Sequence, residues 1–241
     1  MTDATAASAS TGAPSDTKSK IIAALMELAA ERSFDDISIT QIAERAGVSL
    51  ATFRDHFPSK GAILGAYSKK IDRVVLEGTG QDLDGEAPKD RLFDVLMRRL
   101  DAMAPDRAAL ESIMEWARRE PMSAAALNGV ALNSMRFMLE AAGIDSEGTV
   151  GALKLQGLVI AWTRILNVWF KDEDSGYGAT MAAMDKELSR GDTLVRRAED
   201  LDRFAKPLKG LARAMMQGRP RMPGRTRARW SDGEPDPSAT I

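Results

Sequence analysis

The chain has 241 residues, of which 44% are hydrophobic and 28% charged, with a net charge of −2 and no cysteine. That length supports one large domain or two small ones around a real core, and the lack of cysteine excludes disulfides, thiolate zinc sites and thiol catalysis. No apolar run approaches the roughly 20 residues of a membrane span, and the start lacks the basic stretch and apolar block of a secretory signal, so a cytoplasmic location is expected.

The charge is unevenly spread. Residues 18–76 hold 9 Lys and Arg against 7 Asp and Glu, residues 77–204 hold 16 against 23, and residues 205–241 hold 8 against 3. Basic ends around an acidic middle suit a protein that meets nucleic acid at one end.

Residues 1–16 are rich in Ala, Ser, Thr and Gly, show no apolar period, and read as a disordered arm. Residues 17–32 read as a helix with Ile21, Ile22, Leu25, Leu28 and Ala29 on one face. A turn over Ser33 to Ile37 follows. Ser38 with Gln41 three residues on is a capping-box start, and Ile42, Ala43 and Ala46 continue it at helical spacing. Gly47 can take the positive φ that ends a helix. Val48 fills the corner and Ser49 caps a second short helix, whose Phe53 and Phe57 share an inner face at i and i+4. Helix, glycine corner and second short helix make a helix-turn-helix.

After Pro58, a fourth helix starts at Ser59 and reaches about Glu77, with Ile63, Leu64, Tyr67, Ile71 and Val74 on one face. The Gly-rich polar stretch 78–88 marks a domain boundary. Beyond it helices are predicted over Lys89 to Met103, Asp106 to Arg119, Met122 to Ala142, Ser146 to Phe170, Tyr177 to Ser189 and Asp192 to Phe204. The Ser146 to Phe170 segment is apolar on more than one face, as a central or interface helix would be. No strand pattern occurs. The fold class is therefore all-α, about nine or ten helices. The expected domains are an arm (1–16), a helix-turn-helix domain (17–77), a helical bundle for ligand binding and dimerisation (78–204), and a basic, mostly disordered tail (205–241).

The ordered set Ile42, Ala43, Ala46, Gly47, Val48, Ser49, Thr52, His56, Phe57, Ser59 and Lys60 resembles the tetracycline-repressor family of bacterial transcription regulators. The close resemblance covers about residues 18 to 76. Two positions depart from it: Ala51 stands where the family usually has glycine, and Arg54 where it usually has a tyrosine that touches DNA phosphate. Arginine can keep that contact with added charge, whereas the neighbouring Asp55 repels phosphate. The resemblance implies a homodimeric regulator, most often a repressor, that places its second short helix in the major groove of each half of a pseudo-palindromic operator. Ser49, Leu50, Ala51 and Thr52 are expected to approach base edges. Arg54, His56 and Lys60 are expected on phosphate, with Thr40 and Gln41 also near the DNA backbone. Pairing is expected through 146–170 and 192–204.

His56, the only histidine, has no cysteine or histidine partner for metal binding and is assigned a structural or phosphate role. Nothing matches a phosphate-binding loop, a dinucleotide fingerprint or a calcium loop, so neither an enzyme nor a cofactor is expected. The bundle is rich in Met and Trp, which suit irregular apolar pockets. Trp116, Met135, Trp162 and Trp169 are the candidate walls of a pocket for an apolar or weakly polar effector. Asn133 to Asp202 also resembles, more loosely, the ubiquinone-biosynthesis accessory proteins, which share this fold and bind isoprenoid lipids. The matching positions are Trp169, Asp172, Asp174, Ser175, Thr180, Met184 and Leu188. A lipid-handling accessory protein is therefore the second reading.

Overall fold

The computed structural model describes residues 14–79 and 85–193. Predicted features over 1–13, within 80–84 and beyond 193, including the basic tail and most of the Asp192 to Phe204 helix, lie outside the described residues.

The first helix, α1 (Pro14–Glu31), buries the predicted Ile21, Ile22, Leu25, Leu28 and Ala29. It also buries Ala24 and Met26. Its buried face is wider than one stripe because it packs against three helices at once: α2 (Ile39–Arg45), α4 (Lys60–Gly78) and α6 (Arg107–Arg119). A 3₁₀ turn at Phe34–Asp36 links α1 to α2, and α3 (Leu50–His56) completes the head.

The long helix α4 starts at Ser59, whose side chain accepts from the Ala62 N–H at 3.2 Å. It buries Ile63, Leu64, Tyr67, Ile71 and Val75. Val74, expected on this face, is half exposed. Four residues on from Ile71 is the better helical repeat, and that position is Val75.

The bundle continues with α5 (Pro88–Met103), a 3₁₀ turn at Ala104–Asp106, α6, α7 (Pro121–Ala141), α8 (Gly148–Trp169) and a ninth helical run, α9, over 178–193. Every described element is helical. Helix α7 closes with the Gly143 N–H on the Glu140 carbonyl and the Ile144 N–H on the Leu139 carbonyl, both at 2.9 Å. The start of α8 folds back on itself so tightly that a Cβ on Gly151 would lie 2.2 Å from the Ser146 carbonyl carbon. Glycine is therefore required there.

The corner between α8 and α9 is built on Asp172. Its carboxylate accepts from the Thr180 N–H and hydroxyl, both at 2.7 Å, while Arg107 donates to the Trp169 and Asp172 carbonyls. The Thr180 hydroxyl, then its N–H, hold the Asp172 carboxyl below its ordinary pKa.

One continuous core joins these elements. Phe34 in the 3₁₀ turn after α1 packs on Trp116 of α6, with ring centroids 4.4 Å apart, so the head rests on the bundle through an aromatic contact. No helix among the described residues is long and apolar enough to cross a membrane.

Candidate nucleic-acid interface and bundle cavity

The head is assembled by side chains that close backbone ends. Ser38 Oγ accepts from the Gln41 N–H at 3.2 Å, and Gln41 Oε1 accepts from the Ser38 N–H at 2.9 Å, so α2 begins with the expected capping box. At its other end Gly47 adopts φ +66°. The Gly47 N–H then reaches the Glu44 carbonyl at 3.1 Å, and the Val48 N–H the Ala43 carbonyl at 2.9 Å. Those paired bonds reverse the chain sharply and set the angle at which α3 leaves. Arg45 fastens α2 to α1 by a bidentate bond to Glu31 at 2.8 and 2.9 Å, with Glu27 at 3.3 Å.

Ser49 caps α3, accepting from the Thr52 N–H at 3.0 Å. The Ser49 and Thr52 hydroxyls lie 2.9 Å apart and hydrogen-bond each other. Phe53 and Phe57 are buried, with ring centroids 6.5 Å apart, and fix α3 from behind. The opposite surface is open. Leu50 is 52% exposed. Ala51, Arg54 and Asp55 are exposed beside it, and His56 at the end of α3 is half-buried. Among the described residues Arg54 has no hydrogen-bond or ion-pair partner.

Most of the expected DNA-facing residues are exposed. Ser49, Leu50, Ala51 and Arg54 lie on the exposed surface of the head, as does Thr40 on α2. Gln41 uses its side-chain oxygen in the capping box and keeps its amide N–H donors. One expectation changes. Lys60 donates to the Phe34 carbonyl at 2.9 Å and to the Ile37 carbonyl at 2.8 Å, with its ammonium 4.5 Å from the Phe34 ring centre. Burial pushes the Lys60 pKa down. Instead of reaching out to phosphate, Lys60 holds the start of α4 to the turn that links α1 and α2. The resemblance that placed it at a phosphate carries no information about carbonyls 23 and 26 residues upstream.

The second candidate site is a cavity of about 300 Å³ bounded by α4 to α8. Met135 and Trp162 line it. Trp116 and Trp169 do not. Trp116 is committed to Phe34 at the head. Trp169 is fully buried against Phe170, with centroids 5.3 Å apart, beneath the Arg107 guanidinium. Large aromatic residues fill contacts between helices as readily as they line cavities, so residue type alone could not separate the two pairs.

Arg99 on the cavity wall was missed. It is buried, with an ion pair to Asp72 of α4, whose carboxylate also accepts from Ser134 at 2.6 Å. The signal was present: Arg99 stands within the α5 stripe Leu92, Val95, Leu96, Leu100 and Met103. Asp72 directly follows Ile71 on the buried side of α4.

Residues 21–67 match the family model described as "Bacterial regulatory proteins, tetR family". The HTH-type transcriptional repressor KstR of Rhodococcus jostii (strain RHA1) is 25% identical over 186 residues, 76% of this chain and 87% of KstR. A TetR transcriptional regulator from Rhodococcus sp. RHA1 superposes with a TM-score of 0.55 at 23% identity, over 73% of this chain and 96% of its own. One from Nitrosomonas europaea ATCC 19718 gives 0.56 at 21%, over 73% and 97%. The two structural matches speak for the fold, and the matched stretch spans the capping box, the glycine corner and α3. Residues 21–67 therefore carry the motif of the tetR family of bacterial regulatory proteins, and the helices around it share the fold of TetR transcriptional regulators.

Proposed function

We propose that the chain is a transcriptional repressor that binds a pseudo-palindromic operator as a homodimer and is relieved by an apolar effector in the bundle cavity. The observation that carries this reading is the outward surface of α3: Leu50, Ala51 and Arg54 stand free while Phe53 and Phe57 hold the helix rigid. A helix so presented can enter the major groove. Residues 17–77 would form the DNA-binding domain and 78–204 the effector and dimerisation domain. The name of the relative KstR supports repression over activation.

Base contacts fall to Leu50, Ala51 and their neighbours Ser49 and Thr52. The two hydroxyls bond each other, and the pair keeps one free O–H beside the apolar surface of Leu50 and Ala51. Arg54, His56, Thr40 and Gln41 take the DNA backbone, and Lys60 supports them from inside the head. Pairing through α8 is supported by its outward stripe, where Leu153 and Ile160 stand about half exposed one turn on either side of Gly157. The second expected pairing segment, 192–204, lies almost wholly outside the described residues. Coupling between cavity and head follows α4. This helix contributes Leu64, Tyr67 and Ser68 to the cavity and anchors the head through Lys60. A coupling of about 1–3 kcal/mol is typical of such switches.

The looser resemblance to ubiquinone-biosynthesis accessory proteins gains no separate support. Trp169, Asp172, Thr180, Met184 and Leu188 are all buried at the α8–α9 corner or beside it, where they fix the path of the chain. That structural work points to no lipid. Footprinting on the DNA beside the chain's own gene tests the proposal. A protected palindrome is expected, and absence of any discrete footprint up to the concentrations at which DNA becomes coated non-specifically would refute it.

A further inference from the structure

We infer that the bundle cavity takes an apolar molecule with a single neutral hydrogen-bond acceptor, such as a ketone or ester carbonyl, which accepts from the buried donors Tyr67 Oη and Arg99 Nε. This inference rests on the effector reading above and narrows it to a chemical class.

Most of the wall is aliphatic, with Met135 and Trp162 among its larger members. Three of its polar side chains already hydrogen-bond within the protein. Thr163 donates to the Val159 carbonyl at 2.9 Å, Asn128 accepts from Gln156 at 3.3 Å, and Ser68 accepts from Arg99 at 3.4 Å. Two wall residues keep a buried polar atom without a hydrogen-bond partner: the Tyr67 hydroxyl and Arg99 Nε. Both can donate. A buried donor without an acceptor is unfavourable, and a ligand oxygen would remove that deficit. Burial, aided by the nearby Asp106 carboxylate, pushes the Tyr67 pKa up, so its hydroxyl stays protonated. Asp106 itself makes no hydrogen bond of acceptable geometry to it.

Charge decides between neutral and acidic acceptors. The Arg99 guanidinium is already neutralised by Asp72. A ligand carboxylate beside that pair would be a buried charge without a counter-ion. The other cation on the wall, Arg118, is exposed at the rim and bonded to Asn167. An anionic head would sit there, in solvent, and leave the inner donors unpaired.

A matched series tests this with the full-length protein at neutral pH: decane, decan-2-one and decanoate, read by thermal shift and by quenching of tryptophan fluorescence. Decan-2-one is expected to bind at least tenfold more tightly than decane, with decanoate no better than decane. Tyr67→Phe keeps the ring and the fold, and it should shrink the ketone advantage. Arg99→Lys supplies the second variant. Equal binding of ketone and alkane, an advantage unchanged in both variants, tightest binding by decanoate, or binding by none of the three would overturn the assignment. Operator affinity measured with decan-2-one bound separates the two proposals. If the ketone binds as stated and the operator affinity does not move, the effector reading fails while the ligand class stands.

Discussion

Arg54 and Lys60 were expected to do the same work, and the structure separates them. Arg54 stands in solvent on α3, whereas the Lys60 ammonium is held between two carbonyls and an aromatic face. Arg54→Ala is therefore expected to weaken binding to all DNA sequences and to lower the salt slope of the binding constant by roughly 0.9 per phosphate lost, with the melting temperature unchanged. Lys60→Met should do the reverse: two carbonyls lose their partner, stability falls by about 1–3 kcal/mol, and the salt slope stays put. Fluorescence anisotropy across a potassium chloride series, paired with thermal melts, reads both. Leu50 makes a different expectation. An exposed leucine at a base edge favours a thymine methyl group. Replacing that thymine by deoxyuridine removes one methyl and should cost about 0.8 kcal/mol, roughly fourfold in affinity. In Leu50→Ala the same replacement should have little effect.

At the scale of elements, the helix-turn-helix was legible because its signals are local. The capping box, the glycine and the next cap each involve residues three or four apart, and each formed as the spacing implied. The fold class was legible for the same reason, through helical periodicity without strand alternation. What could not be read depends on contacts across the chain. Trp116 and Trp169 share composition with Trp162, yet only tertiary placement sends the first to Phe34 and the second behind Arg107. The Lys60 contacts join segments 23 and 26 residues apart. Gly47→Ala follows from the legible part: a Cβ there meets no neighbouring atom, but φ +66° is strained for alanine by about 1–2 kcal/mol. Lower stability and a misdirected α3 are expected by thermal melt and DNA binding. The α8–α9 corner gives a pH test. The Asp172 carboxyl lies below its ordinary value of 3.8 in the folded state, so the unfolded chain binds the proton more readily. Its contribution is present above that value and is lost as pH falls through the lower, folded pKa. Asp172→Asn should lower stability at neutral pH and flatten the acid limb of the stability curve, measured by urea melts from pH 7 downward.

For the whole molecule, one helix, α4, takes part in both the head and the cavity. Its first residue clamps the head and its middle forms the wall of the cavity. The buried pair of Asp72 on α4 with Arg99 on α5 ties these together. Asp72→Ala strands a buried guanidinium, and about 3–5 kcal/mol of stability should be lost. The account stands most directly on what α3 reads. Binding-site selection from random duplex DNA with the full-length protein should enrich a palindrome whose half-sites are centred about one turn, or ~34 Å, apart, with a thymine at the position facing Leu50. Recovery of DNA without any enriched symmetric sequence would contradict it.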